Sequence, residues 1–110
     1  MDKKSTREAF RQAVFNRDGN RCAMCGRSDV KLDAHHIEDR HGMPNGGYVA
    51  ENGITLCDCP QGCHWKAEHY HATGKSYPGY SPEDLYTKIG SDLEKAWEAS
   101  KKLKPLVKQD

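Results

Sequence analysis

A chain of 110 residues fits one domain and leaves too little sequence for a second independent core. Only 35% of the residues are hydrophobic and 30% are charged, so the core is lean and a staple such as a bound metal is expected. No stretch approaches the ~18 apolar residues of a membrane span, and the opening MDKKSTREAF lacks the apolar run of a signal peptide; both predict a soluble, cytoplasmic protein without a membrane partner. The net charge is only +1, but it is uneven: residues 1–31 hold eight Lys/Arg against four Asp/Glu, residues 32–97 five against ten, and residues 98–110 four against two.

Ser5-Thr6-Arg7-Glu8 matches a capping box. Phe10, Ala13 and Val14 then share one face of a helix that Asp18-Gly19-Asn20 ends. Cys22-Ala23-Met24-Cys25-Gly26 reads as a tight turn. Val30 to Ile37 has strand character, with Val30, Leu32 and Ala34 alternating. Glu38 to Glu51 is a polar, glycine-bearing loop, long enough to suspect function. Gly53 to Leu56 forms a short apolar strand, Cys57 to Gly62 a second cysteine turn, and His64 to His71 a helix ending near Thr73-Gly74. Ser81-Pro82-Glu83-Asp84 carries an N-cap, a first-position proline and acids in the first turn, which starts the C-terminal helices. Past Lys104-Pro105 a loose tail is expected. The chain divides into an N-terminal helix (residues 1–20), a core (21–73) and C-terminal helices (81–104). Trp65 and Trp97, at helical positions, are expected in the core.

Five cysteines are an odd number for a disulfide framework, and their clustering points to metal. Cys22 and Cys25 precede one strand; Cys57, Cys59 and Cys63 follow the other. If the strands pair antiparallel, both turns meet at one end. Four thiolates there can surround a structural Zn²⁺ tetrahedrally. Cys57 and Cys63 are the favoured second pair, with Cys59 spare or in place of Cys57.

All six histidines fall between residues 35 and 71. His35 and His36 are neighbours near a strand end, so their rings point to opposite faces. One can bind a metal while the other approaches a substrate. His64, at the start of the next helix, offers a second imidazole ligand. A histidine base and a hydrated divalent ion together meet the needs of phosphodiester hydrolysis.

Asp33-Ala34-His35-His36-Ile37, Glu51-Asn52-Gly53-Ile54-Thr55-Leu56-Cys57 and Cys63-His64 resemble the HNH endonucleases, and Cys22-x-x-Cys25 resembles the subset carrying a structural zinc. The matched motifs cover roughly residues 20–71. The resemblance implies an α+β fold: a small ββα-metal core with a four-cysteine zinc site, flanked by N- and C-terminal helices. It implies His36 as general base, His35 and His64 as ligands of a catalytic Mg²⁺, Mn²⁺, Ni²⁺ or Zn²⁺, and Asn52 as the residue holding the base loop. For the third ligand Glu68 is better placed than His69, which lies about 140° around the helix from His64; water is the remaining option. Arg40 and His41 are candidate nucleic-acid contacts. The implied activity is endonucleolytic hydrolysis of DNA by a monomer or weak homodimer. A phage origin, with a packaging or recombination partner and action in the host cytoplasm, follows by analogy. The competing reading is a zinc-stabilised nucleic-acid-binding module without catalysis.

Overall fold

A computed structural model describes residues 3–103. Among them the order is helix α1 (Lys3–Asp18), strand β1 (Leu32–His36), three short 3-10 turns (Arg40–Gly42, Pro44–Gly47, Ala50–Asn52), strand β2 (Gly53–Cys57) and helices α2 (Cys63–Thr73), α3 (Pro82–Lys88) and α4 (Leu93–Lys101). The described chain is thus α+β, with a two-stranded antiparallel sheet, four α-helices and a cysteine cluster. No described helix is long and apolar enough to cross a membrane.

The sheet pairs Leu32 with Cys57, Ala34 with Thr55, His35 with Ile54 and His36 with Gly53. Side chains alternate between its two faces. On one face lie His36, Gly53 and Thr55, and α1 covers it: Phe10 stacks on His36, and Thr55 Oγ1 donates to the Val14 carbonyl. On the other lie Asp33, His35, Ile54 and Leu56, with α2 against His35 and Asp33. Because both faces are covered, every residue of β2 is buried. β1 therefore departs from the expected alternation of Val30, Leu32 and Ala34: His35, on the opposite face, is its most buried residue.

The close approach of α1 depends on Gly53. A Cβ there would meet Val14 Cγ2 at 2.5 Å and the Phe10 ring at 2.7 Å. The end of α1 is tied to the same strand. Asp18 Oδ2 accepts from the Thr55 amide at 2.8 Å, and Arg17 donates to the Ala50 and Gly53 carbonyls at 2.6 and 2.7 Å. Gly19 and Asn20 then take positive φ and stop the helix, as their identities require.

The core cluster is small: Ile37, Met43, Ile54, Leu56, Leu85, Tyr86 and Ala96 make up most of it, together with Ala67 and the thiols of Cys22, Cys57 and Cys63. α3 and α4 brace the long loop between the strands. Tyr86 donates to Asn52 Oδ1 at 2.7 Å, Ser91 to the Glu51 carbonyl at 2.9 Å, and Asn45 Nδ2 to the Ser100 and Leu103 carbonyls at 3.1 and 3.2 Å.

Several expectations need correction. The chain is already helical at Lys3, so Ser5 lies inside α1 and not at its N-cap position, while Glu8 accepts from Gln12 one turn on. Ala13 is exposed, whereas Phe10 and Val14 on the same helix are buried against the sheet. The Glu38–Glu51 loop is more ordered than its composition suggests, being folded into 3-10 turns. Trp65 and Trp97 are each 43% exposed. The inward positions of their helices are the small residues Cys63 and Ala67 in α2, Ala96 and Ser100 in α4, which let those helices pack closely. The expected capping of α3 is present, with Ser81 and Asp84 bonding reciprocally. The expected loose tail lies outside the described residues.

Candidate active site and metal centres

The strand pairing brings Cys22, Cys25, Cys57 and Cys63 together at one end of the sheet. Their sulfurs lie within 4.8 Å of one another, close enough to hold a metal ion such as zinc. A Zn–S bond of about 2.3 Å implies tetrahedral S···S edges of about 3.8 Å; Cys25 Sγ and Cys57 Sγ are 3.7 Å apart. Backbone N–H groups already aim at the sulfurs, from Cys25 to Cys22 Sγ and from Cys63 to Cys57 Sγ, both at 3.4 Å. Burial would raise the Cys22 thiol, but the amides of Cys25 and Met24 outweigh it and bring it down to about 7. Burial, reinforced by the neighbouring sulfurs, pushes Cys63 up to about 12. Four thiols this close cannot all ionise unless a cation sits among them, so the donor set fits a metal. Cys59 lies outside the cluster; it packs beside Gly62 at the turn.

A second cluster lies where β1 meets α2. Glu68 Oε1 is 3.2 Å from His35 Nδ1 and 3.2 Å from His64 Nε2. Donors about 2.0–2.2 Å from a shared ion would stand roughly 3 Å apart, so this spacing also fits a divalent cation. The other nitrogen of His64 faces Asp33 at 3.3 Å and Asp58 at 3.6 Å, an arrangement that holds the ring in orientation. Hydrogen bonds from His35 and His64 hold the Glu68 carboxyl far below the usual range. The Glu68 contact raises His64, with help from Asp33, whereas burial lowers His35. His35 Nδ1 and Glu68 Oε1 are within hydrogen-bond distance.

His36 occupies the other face. Its ring stacks on Phe10 with centroids 4.4 Å apart and meets the edge of Tyr48 at 4.8 Å. Nε2 is buried with no protein hydrogen-bond partner. Burial, then the nearby His35 and Arg40, push the imidazole down to about 4, so it is neutral and able to accept a proton at pH 7. The peptide after it is clamped by Asn52, which is fully buried. Asn52 Oδ1 accepts from the Glu38 amide at 3.0 Å, and Nδ2 donates to the carbonyls of Glu38 at 3.1 Å and Gly47 at 3.2 Å. The Asn52 carbonyl in turn accepts from the Ile37 amide at 2.9 Å.

His35, His36, His64 and Glu68 line one cleft of about 340 Å³, together with Asp33, Arg40, Tyr48, His71 and the α1 residues Arg7, Phe10 and Arg11. Arg40 thus lies in the cleft. His41 does not: it is exposed, and its ring pairs with Asp39 at 3.1 Å. His69 also stays apart, against Tyr77 and Trp65.

Several cleft residues were not singled out in the sequence. His71 donates from Nε2 to the His36 carbonyl at 3.1 Å and lies 5.3 Å from the His35 ring. Its place two turns after His64, and three residues after Glu68, put it on their helix face and was a usable signal. Asp33, two before His35 on β1, shares its face by the strand period. Phe10 and Tyr48 had no such signal as neighbours of His36. Comparison of the chain with protein-family models, with curated proteins and with solved structures gives no match.

Proposed function

We propose that this chain is a metal-dependent HNH-type endonuclease that hydrolyses DNA phosphodiester bonds, built on a ββα-metal core with a structural zinc on Cys22, Cys25, Cys57 and Cys63. One observation carries the reading: His35, His64 and Glu68 converge on a common point in the same cleft as a neutral, buried His36. A divalent ion held by those three residues would supply Lewis-acid charge to the phosphate and to the leaving oxygen.

The chain's own residues do the rest. With Nε2 of His36 enclosed, Nδ1 is the ring nitrogen left to take the proton of the attacking water. Phe10 and Tyr48 hold the ring from face and edge, and Asn52 with His71 holds the backbone on either side of Ile37. Asp33 keeps His64 in orientation. Arg40 stands in the cleft as a partner for phosphate oxygens. The bond broken is between phosphorus and the 3′ oxygen, leaving 3′-hydroxyl and 5′-phosphate ends.

Plasmid cleavage in Mg²⁺, Mn²⁺, Ni²⁺ or Zn²⁺ tests the reading. Nicking by the wild type that falls at least a hundredfold in His36→Ala is expected. Equal nicking by both proteins removes His36 as base. DNA binding without cleavage in any ion leaves the non-catalytic zinc module as the function.

A further inference from the structure

The candidate metal ligands and His36 account for one wall of the cleft; α1 supplies another. Arg7 and Arg11 stand one turn apart on α1 and both line the cleft. Between them in sequence, Phe10 stacks on His36, which anchors that stretch of helix beside the candidate base. Arg40 approaches from the first 3-10 turn, its Nη1 3.4 Å from the Tyr48 hydroxyl. Arg7 faces the same phenol.

None of these three guanidinium groups forms an ion pair with a carboxylate among the described residues. Carboxylates are nearby but engaged elsewhere. Glu8 accepts from Gln12, Asp39 from His41, and Asp33 faces His64. Arg17, farther along the same helix, is neutralised by Asp18 at 2.8 Å. Arg40 and Arg7 share the Tyr48 phenol, and the Arg11 guanidinium lies 5.3 Å from the centroid of the Phe15 ring; three cations along one concave wall are arranged for an anion of more than one charge. The rise between Arg7 and Arg11 is about 6 Å, comparable to the separation of neighbouring phosphates along one strand.

We propose that Arg7 and Arg11, with Arg40, form a subsite for the phosphates flanking the scissile one, so that the substrate is a polynucleotide strand with consecutive phosphodiesters and not an isolated diester. This rests on the nuclease reading for its choice of substrate, but its test does not require cleavage.

The zinc-loaded protein is titrated with a fluorescein-labelled DNA duplex over a range of NaCl, without added catalytic ion. The Arg7→Gln, Arg11→Gln double variant is expected to bind at least tenfold more weakly and to flatten the slope of log K against log[NaCl] by about 2. The Arg7→Lys, Arg11→Lys variant, which keeps both charges, retains most of the slope. Wild-type affinity and slope in the glutamine variant, with an unchanged circular-dichroism spectrum, would overturn the subsite and leave an ordinary solvated helix face. A second measurement compares cleavage of plasmid DNA and of bis(p-nitrophenyl) phosphate in Mn²⁺. The loss of kcat/KM in the glutamine variant should be at least tenfold larger on DNA. Equal losses on both substrates would also overturn the proposal. A flattened salt slope in a protein that hydrolyses neither substrate would uphold the subsite and sink the nuclease reading.

Discussion

Replacing Asn52 with aspartate preserves the side chain's shape and inverts half of its hydrogen bonding. The two bonds accepted by Oδ1, from the Glu38 amide and the Tyr86 hydroxyl, survive. The two donated by Nδ2, to the carbonyls of Glu38 and Gly47, become contacts between a carboxylate oxygen and carbonyl oxygens. The site is fully buried, and no described side chain replaces the lost donor. Each carbonyl stripped of its partner costs about 1–3 kcal/mol, so the pair costs about 2–6 kcal/mol at pH 7. Protonating the new carboxyl would restore one donor. Its folded pKa is therefore raised, and the penalty relative to wild type shrinks as the pH falls toward the unfolded carboxyl value. Urea unfolding at fixed excess zinc reads the loss as a lower midpoint with an unchanged slope. A difference below about 0.5 kcal/mol at pH 7 would refute the hydrogen-bond assignment at Asn52.

Three other outcomes follow from the same geometry. Metal analysis should find one tightly held zinc per chain, lost in Cys22→Ala, Cys25→Ala and kept in Cys59→Ala; zinc lost on changing Cys59 would contradict the four-cysteine assignment. Gly53→Ala should destabilise the fold by about 1–3 kcal/mol through overpacking against Val14 and Phe10, because the backbone at φ −129° itself admits alanine; a thermal melt unchanged from wild type would show that α1 does not approach this closely. Burial would raise the Asp18 carboxyl, but Arg17 and the Thr55 amide outweigh it and lower the value from the ordinary 3.8. The stability it contributes is present above pH 3.8 and is lost as the pH falls through the lower folded value. The stability difference between wild type and Asp18→Asn should therefore stay constant from pH 7 to about 5 and shrink below about 4, and a difference independent of pH down to 2 would contradict it.

The sequence reached the parts of the site that local periodicity encodes. An antiparallel hairpin joins its two ends, so cysteines before one strand and after the other had to meet, as the Leu32–Cys57 pairing shows. Adjacent strand residues diverge, which separates His35 from His36; a helical step of four sets Glu68 beside His64 and turns His69 away. Tertiary contacts were out of reach. Nothing in a spacing rule brings Tyr86 of α3 to Asn52, or Phe10 of α1 to His36, because both depend on how separate elements pack. The tryptophans illustrate the same gap: hydrophobic character suggested core, but small residues took the inward positions of α2 and α4. The capping box at Ser5 was a valid local signal overridden by a helix already formed at Lys3.

The most direct test of the central claim is a single-turnover cleavage of an end-labelled DNA duplex, with protein in excess and above the Kd, in the divalent ion that best supports nicking. The wild type should give fragments with 3′-hydroxyl and 5′-phosphate ends, and His36→Ala a rate constant at least a hundredfold lower at equal bound DNA. Fragments formed by His36→Ala at the wild-type rate, or no fragments from zinc-loaded wild type in any of the four ions, would contradict that claim.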